Sequence, residues 1–416
     1  MDPILTRYVK EPNSFTLDFY VKHEGYQGLK KALGMQPNDL IELVKASGLR
    51  GRGGAGFPTG LKWQFVDKKM EPRYIACNAD ESEPGTFKDH VLMERNPHLL
   101  FEGCLIGCWA IGAKVAYIYI RGEFYHVQKV MEDELAKAYA KGYVGKNILG
   151  SGFDCDIVIH RGAGAYEAGE ETALIESLEG KRAQPRIKPP FPAVAGLYNK
   201  PTAVNNVETL CNLPAIVLNG AKWFTDLGPE KNGGPKLFCV SGHVKKPGVY
   251  EATMRTTLRE LIFDYAGGIR DGHQLKAVIP GGSSVPILLP NQLDVAASFD
   301  DVQKAGSMLG SAGIIVMDET TCMVWVARNL LYFYKHESCG KCTPCREGGD
   351  WLHKILTRIE NGEGEMRDID LLLSVGGNIA GKTLCAFGDA AATPALTTVK
   401  HFRAEFEAHI REGRCT

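Results

Sequence analysis

The stretch Cys155–Leu178, CDIVIHRGAGAYEAGEETALIESL, contains the pattern from which the fold class is predicted. Its first six residues, CDIVIH, are rich in β-branched side chains, which favour a buried strand. The Gly162-Ala163-Gly164 segment predicts a loop, and the residues after it predict a helix that ends near Leu178. A strand joined to a helix through a short glycine loop is typical of α/β proteins, so we predict an α/β fold.

The start of this predicted helix has two interpretations. Backbone N–H groups at a helix start can bind a phosphate group. Glu170 and Glu171 could equally interact with the helix dipole, without any ligand. The sequence leaves both interpretations open.

Strands and helices alternate around this stretch, as far as about Leu218. The first thirty residues are predicted to form a polar lead-in with one short helix. The other predicted elements are helices at Pro37–Leu49, Leu99–Ala113 and Val127–Tyr139 and strands at Arg73–Ala79 and Val115–Ile120. This alternation supports an α/β layer architecture.

The pattern changes after Gly233-Gly234-Pro235, which predicts a domain boundary. Residues 236–291 contain the short predicted strands KLFCVSG, GVYE, KAVIPGG and VPILL around one helix, TTLRELIFDYAGG. That order fits a small α+β unit, and from Thr321 onward the pattern is mainly helical. We therefore predict three domains, at 1–232, 233–320 and 321–416.

Composition and charge exclude several classes of protein. The 416 residues include 48 Lys plus Arg and 49 Asp plus Glu, and this near balance argues against a general nucleic-acid binder. The N-terminal segment MDPILTRYVKEPNSF lacks the pattern of a signal peptide. Prolines interrupt the longest uncharged run, Ala277–Leu293, so no membrane-spanning helix is expected. The 12 cysteines lack the spacing of a secreted disulfide scaffold, so we expect a soluble protein in a reducing, intracellular compartment.

Three cysteines, Cys339, Cys342 and Cys345, are separated by two residues each, and Cys385 follows after 39 more. Thiolates at this spacing can bind three corners of one iron–sulfur cube, with a fourth ligand from elsewhere. Gly340 and Pro344 are expected to keep the segment out of a helix, so that the sulfur atoms can converge.

The fourth ligand and the identity of the metal both have alternatives. Cys385, in the turn-rich GKTLCAFGD segment, is preferred over Cys322 and Cys415. Zinc competes with an iron–sulfur cluster, because CxxC pairs are common in zinc sites. A zinc site would suit a binding or scaffold module with a degenerate nucleotide pocket.

A second glycine-rich loop, Gly51-Arg-Gly-Gly-Ala-Gly56, matches GxGxxG. A helix precedes it, where the ordinary dinucleotide-binding fold has a strand, so that fold is not supported. Cationic residues that suit a phosphate and aromatic residues that suit a base lie in the loop or shortly after it. They are Arg52, Phe57, Lys62, Trp63 and Phe65. Two glycine loops in one α/β region favour a nucleotide or flavin site.

Taken together, these segments resemble the NADH-binding flavoprotein subunit of respiratory complex I. The resemblance spans nearly the whole chain and depends on five motifs in order. They are LRGRGGAGFPTGLKW from Leu49, NADESEPGTFKD from Asn78, GAGAYEAGEETALIES from Gly162, PTAVNNVETL from Pro201 and ESCGKCTPCREG from Glu337. Homologous diaphorase subunits of NAD-dependent hydrogenases and formate dehydrogenases are the alternative within the same chemistry.

The resemblance implies a fold, an activity and partners. The fold is a Rossmann-like FMN- and NADH-binding domain, a small ubiquitin-like β-grasp (α+β) domain and a helical bundle with one 4Fe–4S cluster. The activity is oxidation of NADH by hydride transfer to FMN, which passes electrons singly to the cluster. The implied partners are the thioredoxin-like 2Fe–2S subunit and the large iron–sulfur subunit of NADH:quinone oxidoreductase. The implied location is the cytoplasmic side of the bacterial inner membrane, where the chain would be peripheral and without direct membrane insertion.

The resemblance also implies roles for individual residues, with no side-chain acid or base in the hydride transfer. The FMN contacts would be Gly51, Arg52, Gly53, Gly54, Ala55, Gly56, Asn78, Asp80, Glu81, Tyr166, Gly169, Glu170, Asn205 and Asn206. Phe57, Phe65 and Phe191 would hold the adenine. Lys62, Glu83 and Glu171 would contact the dinucleotide, and the two glutamates would reject the extra phosphate of NADPH. Cys339, Cys342, Cys345 and Cys385 would bind the cluster.

Overall fold

The computed structural model of the chain describes residues 2–415. An α/β region with a parallel sheet comes first, a smaller region with a mixed sheet follows, and four helices complete the chain. This order confirms the predicted fold class. The domain boundaries at 232/233 and 320/321 stay predictions.

The first region consists of twelve helices and four strands within the described residues. They are α1 (Leu17–Lys22), α2 (Gln27–Leu33), α3 (Pro37–Ala46), α4 (Thr59–Gln64), β1 (Tyr74–Ala79), α5 (Asp89–Arg95), α6 (Pro97–Ile111), β2 (Val115–Ile120), α7 (Tyr125–Ala140), β3 (Asp156–Arg161), α8 (Glu171–Leu178), α9 (Pro192–Ala195), β4 (Thr202–Asn206), α10 (Val207–Cys211), α11 (Leu213–Asn219) and α12 (Ala221–Asp226).

The first sheet is parallel throughout and has the strand order β3-β2-β1-β4. Tyr74 of β1 pairs with Val115 on one side and with Thr202 on the other. Strands β1 to β3 follow one another outward, whereas β4 lies on the opposite side of β1, so the strand order reverses between β1 and β4. In open α/β sheets, ligands bind at such a reversal, outside the carboxyl ends of the strands.

Helix α6 fixes the position of the chain that follows β4. Every residue of α6 except Trp109 is buried. A Cβ atom at Gly103 would lie 2.2 Å from the carbonyl oxygen of Leu210, so only glycine allows α10 to pack this closely. The close contact holds α10 against the carboxyl end of the sheet.

The second region contains a mixed sheet with the strand order β6-β5-β8-β7. Strand β5 is parallel to β8, whereas the pairs β5–β6 and β7–β8 are antiparallel. Its elements are β5 (Pro235–Gly242), β6 (Gly248–Thr253), α13 (Leu258–Glu260, continued by a π-helical turn at Leu261–Tyr265), β7 (Leu275–Ile279), α14 (Phe299–Lys304) and β8 (Gly313–Asp318). Its apolar core includes Phe238, Val240, Leu258 and Ile314.

The third region is a bundle of four helices, α15 (Met323–Glu337), α16 (Thr343–Glu360), α17 (Met366–Ile379) and α18 (Phe387–Glu412). Its core is built of aliphatic side chains such as Leu331, Leu352 and Leu372. No helix within residues 2–415 is both long and apolar enough to cross a lipid bilayer.

One prediction in the second region was wrong, and one strand was missed. The VPILL segment is not a strand, and only Leu288 pairs with Val278, in an isolated bridge. Pro286 lacks an N–H group, so this segment cannot form a continuous ladder. The structure instead forms β8 from the β-branched segment GIIVMD, which supplies one of the two central strands.

The prediction for the N-terminal lead-in was also wrong. It contains two helices, α1 and α2, instead of one. Leu5, Leu17 and Tyr26 are buried in the main core, because the segment packs against α6 and α7. Its polar composition conceals these few apolar anchors.

A buried carboxylate connects the first two regions. The Glu208 side chain on α10 is fully buried and accepts hydrogen bonds from Lys236 Nζ at 2.6 Å and from the Leu237 backbone N–H at 2.8 Å. Lys88 Nζ, from the segment before α5, lies 2.8 Å from the same carboxylate. Burial would raise the pKa of Glu208, but the two lysines outweigh it and lower the pKa to about 2. Burial lowers the pKa of Lys236 to about 8.

We predict that Glu208→Gln destabilises the protein by about 3–5 kcal/mol, because it leaves two buried ammonium groups with one fewer counter-charge. Chemical denaturation followed by circular dichroism measures the loss. Asp226→Asn, which breaks an exposed ion pair with Lys222, is the matched control and should cost less than about 1 kcal/mol. Equal effects of the two substitutions would contradict this assignment.

Candidate functional site

A cavity of about 690 Å³ lies at the carboxyl ends of β1 and β4. All three regions contribute to its wall. Those residues are Gly53, Gly54, Ala55, Asn78, Asp80, Glu81, Ser82, Glu83, Thr86, Lys88, Asp89, Tyr166, Glu167, Gly169, Glu170, Asn206, Gly281, Ser284, Val285, Met308, Gly310, Ser311, Ala386, Phe387, Asp389 and Ala390. The cavity therefore occupies the reversal of strand order at which ligands bind in α/β sheets.

The floor of the cavity is formed by the end of β1. Asn78 Nδ2 donates to the Gly169 carbonyl oxygen at 2.7 Å, and this bond holds the second glycine loop against the strand. Asp80 Oδ1 accepts from Ser82 Oγ at 2.9 Å, whereas the buried Asp80 Oδ2 has no protein partner. Burial raises the pKa of Asp80 to about 7. The free carboxylate oxygen suits a ligand that carries hydroxyl donors.

The first glycine loop contributes only part of its length to the cavity. Gly53, Gly54 and Ala55 line it, and a Cβ atom at Gly54 would meet nothing within 4 Å. Gly51 and Gly56 do not line it. The loop thus leaves space beside its backbone, as a phosphate-binding loop requires.

Arg52 and Asn205, which were also predicted to contact FMN, do not line the cavity. Arg52 is fully buried and donates to the Gly233 carbonyl oxygen at 2.6 Å. Burial lowers the pKa of its guanidinium to about 10. Asn205 Oδ1 accepts from Trp63 Nε1 at 2.9 Å. In this structure both side chains anchor the surrounding loops.

Asn206, at the end of β4, belongs to a buried polar network beside the cavity. Its Nδ2 donates to Asp89 Oδ2 at 2.6 Å, and Lys88 Nζ donates to Asp89 Oδ1 at 2.7 Å. Glu81 accepts backbone N–H groups of Lys88 and Asp89, both at 2.7 Å, and so closes the loop before α5. Burial would raise the pKa of Glu81, but His90 and Lys88 outweigh it and lower the pKa.

Glu83 and Tyr166 join the cavity wall to the other regions. Tyr166 donates its hydroxyl to Glu83 Oε2 at 2.5 Å, and Ser284 of the second region donates its N–H to Glu83 Oε1 at 2.8 Å. Burial raises the pKa of Glu83. The Tyr166 ring packs edge-on against Phe333 and Phe387 of the bundle, with centroid distances of 5.2 and 5.7 Å.

The acidic residues at the start of α8 form a cap and an ion-pair cluster. The Glu170 carboxylate accepts the N–H groups of Thr172 and Ala173, so of the two interpretations of this helix start the structure favours the one without a phosphate. Lys62 Nζ and Lys188 Nζ each lie 3.1 Å from the Glu171 carboxylate. Burial would raise the pKa of Glu171, but the two lysines outweigh it and lower the pKa.

Three phenylalanines stand exposed outside the cavity. Phe57, Phe65 and Phe191 have 44, 57 and 56% of their surface exposed. Phe65 directly follows α4, the helix that contains Lys62, and Phe191 directly precedes α9. The Asp67 N–H donates to the Ala193 carbonyl oxygen at 3.0 Å and joins these two segments. Exposed aromatic faces with adjacent charges suit a planar, charged ligand.

The four predicted ligand cysteines are at one end of the bundle. Cys339 and Cys342 lie between α15 and α16, and Cys385 lies just before α18. Cys345, with Pro344, is in the first turn of α16, so the prediction that the whole segment stays out of a helix was wrong. Proline is accepted in a first helical turn, where its missing N–H group is not needed.

The four thiols offer the donors of a metal–sulfur site. The Leu384 N–H donates to Cys342 Sγ at 3.4 Å, and burial raises the pKa of Cys345 to about 11. Among the residues described, no three of these four sulfur atoms lie within 4.8 Å of one another, as ligands of a single ion do. All four donors are sulfur atoms, as in the ligand sets of 4Fe–4S clusters.

The rival ligands Cys322 and Cys415 lie elsewhere. Cys322 precedes the first residue of α15, whereas Cys339 follows its last. The 15 residues of this helix separate the two ends by about 22 Å. Cys415 groups with Cys322.

One wall separates the cavity from the thiols. Glu167 and Phe387 line the cavity, and Cys385 Sγ donates to Glu167 Oε1 at 3.2 Å. Tyr166, Tyr334 and Phe387 pack with Cys345 in one apolar cluster. A ligand in the cavity and a group bound by the thiols would therefore lie a single side chain apart.

Sequence reasoning missed several cavity residues. Lys88 and Asp89 are the last two residues of the NADESEPGTFKD motif, so the quoted motif could have indicated them. The contributions of the second region and of α18 carry no motif, because only the packing of the three regions brings them to the cavity. They include Gly281, Ser284, Met308, Ser311, Phe387 and Asp389.

Comparisons with known proteins match all three regions. Residues 44–215 match the Nuo51 FMN-binding domain, residues 236–316 match the SLBB domain, and residues 325–409 match the NADH-ubiquinone oxidoreductase-F iron-sulfur binding region. Among solved structures, the NAD+-reducing [NiFe]-hydrogenase in its H2-reduced state is similar at 36% identity with a TM-score of 0.86. The match covers 98% of this chain and 66% of the hydrogenase chain.

Full-length relatives are more similar still. The NADH-quinone oxidoreductase F 2 subunit of Rhizobium meliloti is 56% identical over 100% of this chain and 99% of its own length. The NADH-quinone oxidoreductase F subunit of Mycobacterium tuberculosis is 53% identical over 100% of this chain and 95% of its own. At these identities over the whole length, the chain belongs to the family of NADH-quinone oxidoreductase F subunits.

Proposed function

We propose that this chain is the electron-input subunit of an NADH:quinone oxidoreductase. It oxidises NADH with FMN bound in the cavity, and the electrons leave singly through a 4Fe–4S cluster on the four cysteines. The contact that supports this most directly is the hydrogen bond from Cys385 Sγ to Glu167 of the cavity wall. Flavin can accept a hydride and release single electrons, so one wall between the two sites suffices for the conversion.

The cavity residues fit a flavin phosphate and its polyol chain. The loop leaves space beside its backbone at Gly54, and Asp80 Oδ2 offers an acceptor without a protein partner. The buried Lys88–Asp89–Asn206 network holds the wall rigid. We assign these residues to binding and orientation, since hydride transfer between two aligned rings needs position more than acid–base chemistry.

The exposed residues Phe57, Phe65 and Phe191 are together called the outer platform, and we assign this platform to the dinucleotide. Phe57, Phe65 and Phe191 offer aromatic faces for the adenine, and Lys62 and Glu171 offer polar contacts. The four charged groups Lys62, Lys188, Glu170 and Glu171 sum to zero. NADPH would add a phosphate dianion beside the two carboxylates, which favours NADH.

Cys339, Cys342, Cys345 and Cys385 are the proposed cluster ligands. Burial raises the pKa of Cys339, Cys345 and Cys385, so these thiols retain their protons when no cluster is bound. Binding of a cluster must therefore displace these protons. Gly340, with a φ of +77°, lets the loop turn between Cys339 and Cys342.

The chain passes electrons to other subunits in this proposal. By analogy with the F-subunit relatives, we propose a thioredoxin-like 2Fe–2S subunit and a large iron–sulfur subunit as partners, on the cytoplasmic side of the inner membrane. A diaphorase role in a hydrogenase is the alternative, favoured by the NAD+-reducing [NiFe]-hydrogenase match. Identities of 53–56% over whole F-subunit chains weigh more than 36% over part of a hydrogenase chain. Identification of the subunits that co-purify with the native protein decides between them.

The proposed activity is tested with anaerobically purified chain. We expect the absorption of flavin and of an iron–sulfur cluster, about four irons, no zinc on the four cluster cysteines, and NADH-dependent reduction of ferricyanide. Cys385→Ala should lose the iron, and Cys415→Ala should keep it. A colourless protein that binds zinc at Cys385 would overturn the proposal.

We predict that FMN affinity rises with pH through the pKa of Asp80. The pKa of Asp80 near 7 leaves the cofactor-free carboxyl largely protonated at pH 6, and the ionised carboxylate accepts a hydrogen bond from a ligand hydroxyl more strongly than the protonated carboxyl does. Binding should therefore be about tenfold tighter at pH 8 than at pH 6. Fluorescence titration of the flavin-depleted chain measures this.

Asp80→Asn provides the control, because titration of the FMN phosphate is common to both proteins. The variant should lose the additional tenfold dependence. If its pH profile matches that of the wild type, Asp80 does not contact the flavin.

We predict that Glu171→Gln narrows the preference for NADH over NADPH by about tenfold, which corresponds to ~1.4 kcal/mol. The substitution leaves Lys62 and Lys188 with an excess positive charge that attracts the additional phosphate. The ratio of kcat/KM values with ferricyanide measures the effect. Glu132→Gln, on the exposed side of α7, is the charge-matched control and should leave the ratio unchanged.

Glu83 is expected to contribute less to this selectivity than Glu171. Glu83 lines the cavity and accepts hydrogen bonds from the neutral donors Tyr166 and Ser284, whereas Glu171 belongs to the ion-pair cluster with Lys62 outside the cavity. An unchanged ratio in Glu171→Gln would instead favour steric exclusion by the exposed aromatic residues.

A further inference from the structure

Three potential metal ligands meet at the end of the bundle opposite the four cluster cysteines. Cys322, His409 and Cys415 have ligand atoms that all lie within 4.8 Å of one another. Cys322 Sγ is 3.9 Å from His409 Nδ1. In a tetrahedral zinc site, bond lengths of about 2.0–2.3 Å place neighbouring ligand atoms roughly 3.5–3.8 Å apart. Small side-chain adjustments would therefore close the site.

The chain path explains why these residues converge. Cys322 caps α15 and His409 lies in the last turn of α18. Gly413 follows α18 with a φ of +66°, which reverses the chain and returns Cys415 to the start of α15. Met323 N–H also donates to Glu405 of α18 at 2.7 Å, so the two helix ends are already held together.

The hydrogen bonds of the three residues suit a metal. His409 is buried, and its Nε2 lies 3.4 Å from the backbone carbonyl oxygen of Glu360, which orients Nδ1 toward Cys322. Histidine ligands of metals almost always donate their other N–H in this way. The Trp325 N–H donates to Cys322 Sγ at 3.4 Å, as an N–H group does to a bound thiolate.

We propose that Cys322, His409 and Cys415 bind a zinc ion that fastens the C-terminal segment to the start of α15. Two thiolates and an imidazole form a donor set that zinc prefers, and their two negative charges balance the ion. The fourth position is left for water, because Cys415 is exposed. The site has a structural role and is separate from electron transfer.

The site differs from the cluster site in donors and spacing. The cluster site offers four thiols without a histidine, and no three of these sulfur atoms lie within 4.8 Å of one another among residues 2–415. The zinc site offers two thiols and a histidine within that span. Each site should therefore retain its own metal in a chain that carries both.

The test uses the full chain with flavin and iron–sulfur cluster in place, equilibrated with Zn²⁺ under reducing conditions. We expect one zinc per chain, and zinc-edge X-ray absorption with about two sulfur ligands and one nitrogen ligand, completed by oxygen. Competition with a chromophoric chelator gives the zinc affinity. This readout is independent of NADH oxidation.

Substitutions then identify the ligands. Cys415→Ser and His409→Ala should each weaken zinc binding at least about tenfold, because even loss of a residue that only orients a ligand costs 10–100-fold. Iron content should stay constant in Cys415→Ser. Arg414→Ala in the same terminal segment and His401→Ala on the same helix are matched controls and should bind zinc like the wild type.

Three results would overturn the proposal. The first is a wild-type chain that binds no more zinc than Cys415→Ser. The second is zinc with four sulfur ligands and a loss of iron, which would place the ion at the cluster site. The third is a disulfide between Cys322 and Cys415 in protein purified under reducing conditions.

Discussion

The buried carboxylate of Glu208 is the interaction on which the arrangement of the cavity depends. The carboxylate lies on α10 and forms ion pairs with Lys88, from the loop after β1, and with Lys236, from the first strand of the second region. Burying charge is unfavourable unless each group is paired, so this triad is stable only when the two regions are in register. The same loop carries Asp89, which orients Asn206 at the cavity wall. Correct packing of the two regions and correct assembly of the cavity wall are therefore coupled.

Much of the fold could be predicted from local sequence, because local forces determine it. The β-branched run Val115–Ile120 forms the predicted strand, and glycines mark the loops that follow β3 and α3. The N-terminal lead-in and β8 were missed for different reasons. The lead-in is polar and depends on a few apolar anchors, such as Leu17, whose partners are distant in sequence. The segment that forms β8 lies outside residues 236–291, which contain the predicted strands of the second region.

The site could be predicted only as far as its motifs extend. The cysteine spacing and the glycine loops indicated which segments meet, and most of the predicted flavin residues line one cavity. The direction of each side chain could not be predicted. Arg52 points into the protein toward Gly233, and the Glu170 carboxylate caps a helix. The sequence shows that a charged residue lies near a loop. Only tertiary packing determines which neighbouring group forms a hydrogen bond or an ion pair with that residue.

The two halves of the proposed site differ in exposure, which suits their different ligands. Residues of all three regions line the cavity, and buried charges hold part of its wall in place. The outer platform consists of Phe57, Phe65 and Phe191, each about half exposed, which suits a substrate that binds and leaves in each turnover. A redox enzyme of this kind needs that contrast, because its cofactor must persist through many turnovers while its substrate exchanges in each. The buried charges and the exposed aromatic residues thus serve opposite kinetic requirements within one site.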